Sequence, residues 1–348
     1  MDLPLRLTLD ADALVANWRT LDRLSGAGAC GAAVKADGYG LGAGEVVRRL
    51  ADAGCRDFFV ATWAEARALV PFGLPVSVLH GVRREDMDVA LGATGARPVL
   101  CTPTQVARWR AAGGGPCDVM VDTGMNRLGV SVEEVAAGLL DGLAIETLMS
   151  HLACADQDAG DAGAMNERQR EQLATLRGRT DARRLSLANS AGVALGERFA
   201  FDLTRPGVAL YGGVPRGELA GVIRPVVTLE AQVLQRRRVA AGETVGYDAT
   251  WRASCDTEVG IINIGYADGY WRGFSNSGVA QAGDATLPVI GRVSMDLTAL
   301  DVAASPRLAE GDWITLDFVL PAAAAASGMS QYELLTGLGH RFARRWLA

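Results

Sequence analysis

Between residues 28 and 212, short apolar or β-branched runs alternate with amphipathic helical stretches, and this alternation limits the fold more than any other feature of the chain. The candidate strands are Ala29–Lys35, Asp57–Thr62, Pro75–His80, Arg97–Thr102, Asp118–Asp122, Ile145–His151, Arg184–Asn189 and Arg205–Tyr211. Helical patterns lie between them at Gly44–Ala53, Ala64–Val70, Arg84–Leu91, Thr104–Ala111, Ser131–Leu139, Asn166–Leu176 and a short stretch after Ser190. Thr102-Pro103 and Ser131 mark helix starts, since a hydroxyl can cap the first free N–H groups and proline tolerates the first turn. Strands joined by helices run parallel, and a set of eight points to a closed barrel. In such a barrel the chemistry gathers where strands lead into the following loops. Those ends carry Lys35, Thr62, His80, Thr102, Asp122 with Arg127, His151, Asn189-Ser190, and Arg205 with Gly207. That ring of polar and ionisable groups is the expected site.

After Tyr211-Gly212-Gly213 the pattern changes. Residues 222–318 hold β-branched runs broken by turn residues: Val226–Val233, Glu258–Ile264, Leu287–Val293, Thr298–Val302 and Trp313–Phe318. These predict a β-rich second domain. Leu334, Leu335, Leu338 and Phe342, followed by basic residues, predict a closing helix over Gln331–Leu347. Ala322–Ala326 reads as a loop or short helix. The expectation is an α/β chain with an N-terminal TIM-like (β/α)8 barrel, residues 1–215, followed by a C-terminal mainly β domain, residues 216–348.

A formal net charge of -6 argues against a nucleic-acid footprint or a polybasic membrane patch. Arg236-Arg237-Arg238 reads as a solvated face. The start, Met1-Asp2-Leu3-Pro4, lacks the form of a secretory signal, and no apolar run is long enough to span a bilayer. Cys30, Cys55, Cys101, Cys117, Cys154 and Cys255 form no CxxC pair and read as reduced thiols of a cytoplasmic protein. His80, His151 and His340 lie far apart, so no metal site is expected.

The most informative stretch is Ala33-Val34-Lys35-Ala36-Asp37-Gly38-Tyr39-Gly40-Leu41-Gly42. A lysine at the end of an apolar strand is either a surface residue before a flexible loop or a desolvated amine able to form a Schiff base. The stretch closely resembles the cofactor-lysine motif of the alanine racemases. Similar resemblances follow in order: Asp122-Thr123-Gly124-Met125-Asn126-Arg127, Ser150-His151-Leu152-Ala153, Ala188-Asn189-Ser190-Ala191, and Arg205-Pro206-Gly207-Val208-Ala209-Leu210-Tyr211-Gly212. Val245-Gly246-Tyr247-Asp248, Gly265-Tyr266-Ala267-Asp268-Gly269-Tyr270 and Gly291-Arg292-Val293-Ser294-Met295-Asp296 complete the set.

The resemblance implies a pyridoxal-phosphate enzyme interconverting L- and D-alanine, for peptidoglycan or for catabolism. It implies a Schiff base on Lys35, with Lys35 and Tyr247 as catalytic bases on opposite faces of Cα. Tyr39, His151, Asn189, Ser190, Arg205, Gly207 and Val208 would hold the cofactor, with Arg205 facing its pyridine nitrogen. Guanidinium has no acceptor, so it would leave that nitrogen unprotonated and favour reprotonation over transamination. Arg127 and the Met295 N–H would hold the substrate carboxylate, while Tyr266, Arg272 and Asp296 line the entrance. The implied assembly is a homodimer with shared sites. Leu41, Met120, Ser186 and His340 depart from the commonest family pattern. The second reading is a broad-specificity racemase for serine or basic amino acids; a non-catalytic pyridoxal-phosphate carrier ranks below it.

Overall fold

The computed structural model describes residues 3–158 and 160–347. The chain divides into two compact units. One comprises Val15–Leu210 with Val214–Ile223 and contains the barrel. Its strands are Phe58–Val60, Val76–Val78, Ala96–Leu100, Cys117–Asp122, Ile145–Met149, Arg184–Ser186 and Leu203–Thr204, each parallel to the next. The first strand is split at Gly31 into Ala29–Cys30 and Ala32–Ala33. Its N–H groups alternate sides: Gly31 and Ala33 donate to Thr204 and Pro206, whereas Ala32 and Val34 donate to Asp57 and Phe59. The two halves therefore act as one strand that joins the eighth to the second and closes the barrel. A side chain at position 31 would start 2.8 Å from the Asp57 carbonyl oxygen, so glycine is needed there.

Helices follow the strands and bury one stripe each. Val46, Val47 and Leu50 are the buried face of Ala43–Ala53, and Trp63, Ala66 and Leu69 that of Trp63–Leu69. The expected caps form: the hydroxyls of Thr102 and Ser131 accept from the N–H groups of Gln105 and Glu134. The first, sixth and seventh strands end two or three residues before the polar positions assigned to them, so Lys35 opens the following turn and His151 and Asn189 stand on loops, whereas Arg205 directly follows the eighth strand. The largest correction concerns the eighth strand, expected at Arg205–Tyr211. It is Leu203–Thr204, and Val208–Tyr211 is a short 3-10 turn. The Ser190 hydroxyl takes the N–H groups of Gly207 and Ala209, which removes them from any strand ladder.

The other unit comprises the chain up to Leu14, Tyr211–Gly213 and Arg224 onward. Its sheet runs in the order Thr257–Ile262, Thr298–Asp301, Ala285–Ile290, Val279–Ala282, Trp313–Leu316, Val227–Val239, Leu5–Asp10, Phe342–Leu347. Val227–Val239 is 13 residues long; one end pairs with Leu5–Asp10 and Trp313–Leu316, and the other with Thr257–Ile262. Leu5, Leu7 and Leu9 point into the core, alternating with half-buried neighbours. The strand Leu5–Asp10, expected in the first domain, thus belongs to the second unit's sheet. The expected closing helix stops at Thr336; Phe342–Leu347 is a strand parallel to Leu5–Asp10. The helix ends before Gly337 and Gly339, where a Cβ would lie 2.5 Å from the Trp271 ring and 2.9 Å from the Ala267 carbonyl oxygen, respectively. Leu320–Ser327 is a helix. No helix among the described residues is long and apolar enough to cross a membrane.

Candidate active site

The chain leaves the first barrel strand at Val34 and turns sharply at Lys35. Ala36, Asp37, Gly38, Tyr39 and Gly40 all have positive φ, between 52° and 84°. This is a left-handed helical turn, in which Cβ crowds the following carbonyl at a cost of about 1–2 kcal/mol for each non-glycine residue. Three residues here, Ala36, Asp37 and Tyr39, bear that cost. The turn is held by Gly38 N–H to the Val34 carbonyl and Gly40 N–H to the Ala36 carbonyl, both 2.8 Å. The Asp37 carboxylate accepts from Ala43 N–H at 2.8 Å, tying the turn to the next helix.

Lys35 is half-buried, and its amine is held below the ordinary lysine range. Burial is the main cause, followed by Arg127; Arg205 acts in the same direction and only Glu65 opposes. A lysine amine of lowered pKa is a better nucleophile toward a carbonyl at neutral pH.

Arg205 is fully buried, donating to the Ser186 hydroxyl and, at 2.5 Å, to the Ser150 carbonyl. Burial pulls its pKa down to about 10, which still leaves it charged at neutral pH. The Ser186 hydroxyl in turn donates to the Leu203 carbonyl at 2.5 Å, so this serine links Arg205 to the eighth strand. His151 is pushed down to about 3 by burial and then by Arg205, Arg127 and Lys35. It is therefore neutral, and the Asn189 amide nitrogen lies 3.5 Å from its Nε2. The Asn189 side chain also caps the short helix Ser190–Ala194 through Gly192 N–H.

The Asp122 carboxylate shapes the loop after the fifth strand, accepting from the N–H groups of Gly124, Asn126 and Arg127. The Arg127 guanidinium is exposed and forms no ion pair among the described residues. Met120, on the strand before it, is buried and offers no charge. Tyr39 is buried with its hydroxyl against Gly207: a Cβ there would lie 2.2 Å from that oxygen. Ser190, Gly207 and Ala209 form one hydrogen-bonded patch beside it. The barrel unit thus brings together Lys35, Tyr39, Arg127, His151, Asn189, Ser190, Arg205, Gly207 and Val208.

Two groups escaped the sequence reading. Glu65 completes a capping box with Thr62, a pattern visible as Thr-x-x-Glu, yet it also reaches the Lys35 turn. Asp122, expected as a strand-end acid, organises the Arg127 loop.

The other candidates lie on the second unit. Tyr247 is 67% exposed, at the tip of a hairpin formed by Thr244–Val245 and Trp251–Arg252. Gly246, Asp248 and Ala249 have positive φ, and Asp248 pairs with Arg292 at 2.9 Å. Met295 is also exposed; its carbonyl accepts from Ala267 N–H, while Tyr266 N–H donates to the Ser294 carbonyl. Arg272 lies 5.1 Å above the Tyr266 ring. Asp296 pairs with Arg341, whose other nitrogens hold the buried Asp268. Tyr266, Arg272, Met295 and Asp296 therefore share one surface of this unit, whereas Tyr247 stands on its own hairpin.

Pyridoxal phosphate fits the barrel rim on charge and on shape. Lys35, Arg127 and Arg205 outnumber the single Glu65 carboxylate acting on Lys35, which suits an anionic phosphate and an anionic ring oxygen. The missing side chain at Gly207 lets the Tyr39 hydroxyl lie against the backbone at a place where barrels recurrently bind phosphate.

The family model described as alanine racemase, N-terminal domain, matches residues 9–215, and that of the C-terminal domain matches residues 226–346. The alanine racemase of Acidiphilium cryptum is 44% identical, over 97% of each chain. Among solved structures, the alanine racemase of Bartonella henselae with covalently bound pyridoxal phosphate is 32% identical, covers 99% of each chain and has a TM-score of 0.89. The biosynthetic alanine racemase of Pseudomonas aeruginosa is 33% identical over the whole of both chains, also with a TM-score of 0.89.

Proposed function

Because the chain belongs to the alanine racemase family, we infer that it interconverts L-alanine and D-alanine in the cytoplasm, as a homodimer with shared sites. The observation that carries this reading is Lys35 at the barrel mouth, an amine of lowered pKa pressed by Arg127 and Arg205. Pyridoxal phosphate, attached at Lys35, supplies the sink for the electron pair left when the Cα proton departs. Racemisation needs proton transfer on both faces of Cα. The Lys35 amine serves one face and the Tyr247 phenol the other; each positioned group of this kind contributes typically about 10²–10⁴-fold. Arg205, charged and without an acceptor, would face the pyridine nitrogen of the bound cofactor and leave it unprotonated. Such a ring would spread charge less and so would favour return of the proton to Cα.

Tyr39, Ser190, Gly207 and Val208 would hold the phosphate, with His151 and Asn189 completing the cofactor site. Arg127 and the Met295 N–H grip the substrate carboxylate, while Tyr266, Arg272 and Asp296 restrict entry to small amino acids. The direct test of the anchor is Lys35→Ala in the holoenzyme. The expected result is loss of the absorbance of lysine-bound cofactor together with loss of turnover. A normal cofactor spectrum in that variant would remove Lys35 from its role.

A further inference from the structure

The left-handed turn behind Lys35 bears strain in three residues, and one side chain from another element holds its first N–H group. Glu65 lies on the helix Trp63–Leu69, after the second barrel strand. One carboxylate oxygen accepts from Ala36 N–H at 2.8 Å. The other accepts from Ala61 N–H at 2.6 Å and Thr62 N–H at 3.1 Å. A single carboxylate thus ties the residue after Lys35 to the end of the neighbouring strand. Helix capping needs only the Thr62 half of this arrangement. The reach to Ala36 serves the turn.

We propose that Glu65 is a positioning residue for Lys35: it locks the strained turn, fixes the direction in which the amine leaves the strand, and sets the negative charge against which that amine titrates. The catalytic consequence rests on the racemase reading, but the geometry does not. The charged groups acting on Lys35 are Arg127 and Arg205, which favour the neutral amine, and Glu65, which favours the protonated one. His151 is neutral and leaves this balance unchanged. Loss of the Glu65 charge therefore moves the Lys35 amine further toward its neutral form at a given pH. Loss of the Ala36 bond frees a turn whose left-handed conformation is costly for Ala36, Asp37 and Tyr39.

The test uses Glu65→Gln, which keeps size and one accepting oxygen but no charge, and Glu65→Ala, which keeps neither. Trace acylation of Lys35 across pH, read by mass spectrometry on protein stripped of cofactor, gives the amine's titration midpoint. The proposal expects that midpoint to fall by about one pH unit in Glu65→Gln, the size expected of a partly screened charge nearby. It expects racemisation kcat to fall about tenfold or more with KM within about twofold, because Arg127 and Met295 are untouched. In Glu65→Ala, amide exchange should quicken over residues 36–42 and stay unchanged over residues 117–122. An unmoved midpoint and wild-type kcat in Glu65→Gln would overturn the proposal, and the Gln variant carries the test if the Ala variant does not fold. A shifted midpoint in a protein that racemises nothing would sustain the role of Glu65 and refute the function instead.

Discussion

Replacing Gly207 by alanine tests the proposed phosphate platform, because the added methyl group meets Tyr39. The added methyl carbon would lie 2.2 Å from the Tyr39 hydroxyl oxygen and 2.9 Å from the ring carbon that bears it. Contacts that short do not persist, so Tyr39 must swing away. Gly207 is not among the glycines of positive φ, so the backbone itself accepts alanine and the whole effect comes from the clash. Without cofactor the Tyr39 side chain can relax, whereas the proposed site needs it in place when the cofactor binds, so the cost is expected to fall on the bound state. Overpacking of this kind costs roughly 1–3 kcal/mol, which weakens pyridoxal phosphate about five- to 150-fold. Tyr39→Phe removes the oxygen at 2.2 Å and leaves the ring carbon as the nearest atom. In the double variant the penalty of the alanine should therefore shrink, giving a coupling of about 1 kcal/mol or more between the positions. The assay is equilibrium titration of stripped protein with pyridoxal phosphate for the wild type, both single variants and the double variant. Affinity within about twofold of wild type in Gly207→Ala, or strictly additive effects in the cycle, would refute the reasoning.

Three further expectations follow from other parts of the molecule. Tyr247→Phe keeps the hairpin and the cofactor spectrum but loses racemisation, most directly from the L-enantiomer; unchanged turnover would take Tyr247 out of the chemistry. His151 has a folded pKa of about 3 against 6.5 for the free side chain, so as pH falls the unfolded chain takes up the proton first. The stability that neutral burial provides is present above pH 6.5 and is lost between there and about pH 3, so His151→Gln should flatten the urea-midpoint profile in that window alone; a pH-independent offset would contradict this. Arg341→Met leaves the solvent-excluded Asp268 without its two charged bonds. Because Arg341 is itself about half exposed, the loss should be about 1–3 kcal/mol rather than the larger figure for a fully buried pair, and pairing it with Asp268→Asn should recover part of it in a denaturation series.

The sequence made the barrel legible because each strand and its helix are neighbours in the chain. Val34-Lys35 and Asp122 through Arg127 could be placed at the rim for the same reason. What stayed hidden depends on distant partners. Leu5–Asp10 alternates as a strand should, but it pairs with Val227–Val239 and Phe342–Leu347, more than two hundred residues away. The run Val208-Ala209-Leu210-Tyr211 is as apolar as a strand, but the Ser190 hydroxyl takes the N–H groups of Gly207 and Ala209, and Leu210 N–H turns back to the Gly207 carbonyl. Leu334, Leu335, Leu338 and Phe342 share helical spacing, yet Gly337 and Gly339 answer to the close approach of Trp271 and the Ala267 carbonyl, which periodicity does not register. Glu65 shows the same limit in the site. Its local role as a cap is written in Thr62-Trp63-Ala64-Glu65, but its bond to Ala36 appears only once two strands lie side by side.

The central claim, proton exchange at Cα of alanine, is tested most directly in deuterated water. Purified protein with pyridoxal phosphate is incubated separately with L-alanine, L-serine, L-lysine and L-arginine, and the products are resolved by chiral chromatography with mass detection. The expected dominant product is D-alanine carrying deuterium at Cα. Faster conversion of serine, lysine or arginine would contradict the substrate, and no deuterium in any product would contradict the reaction itself.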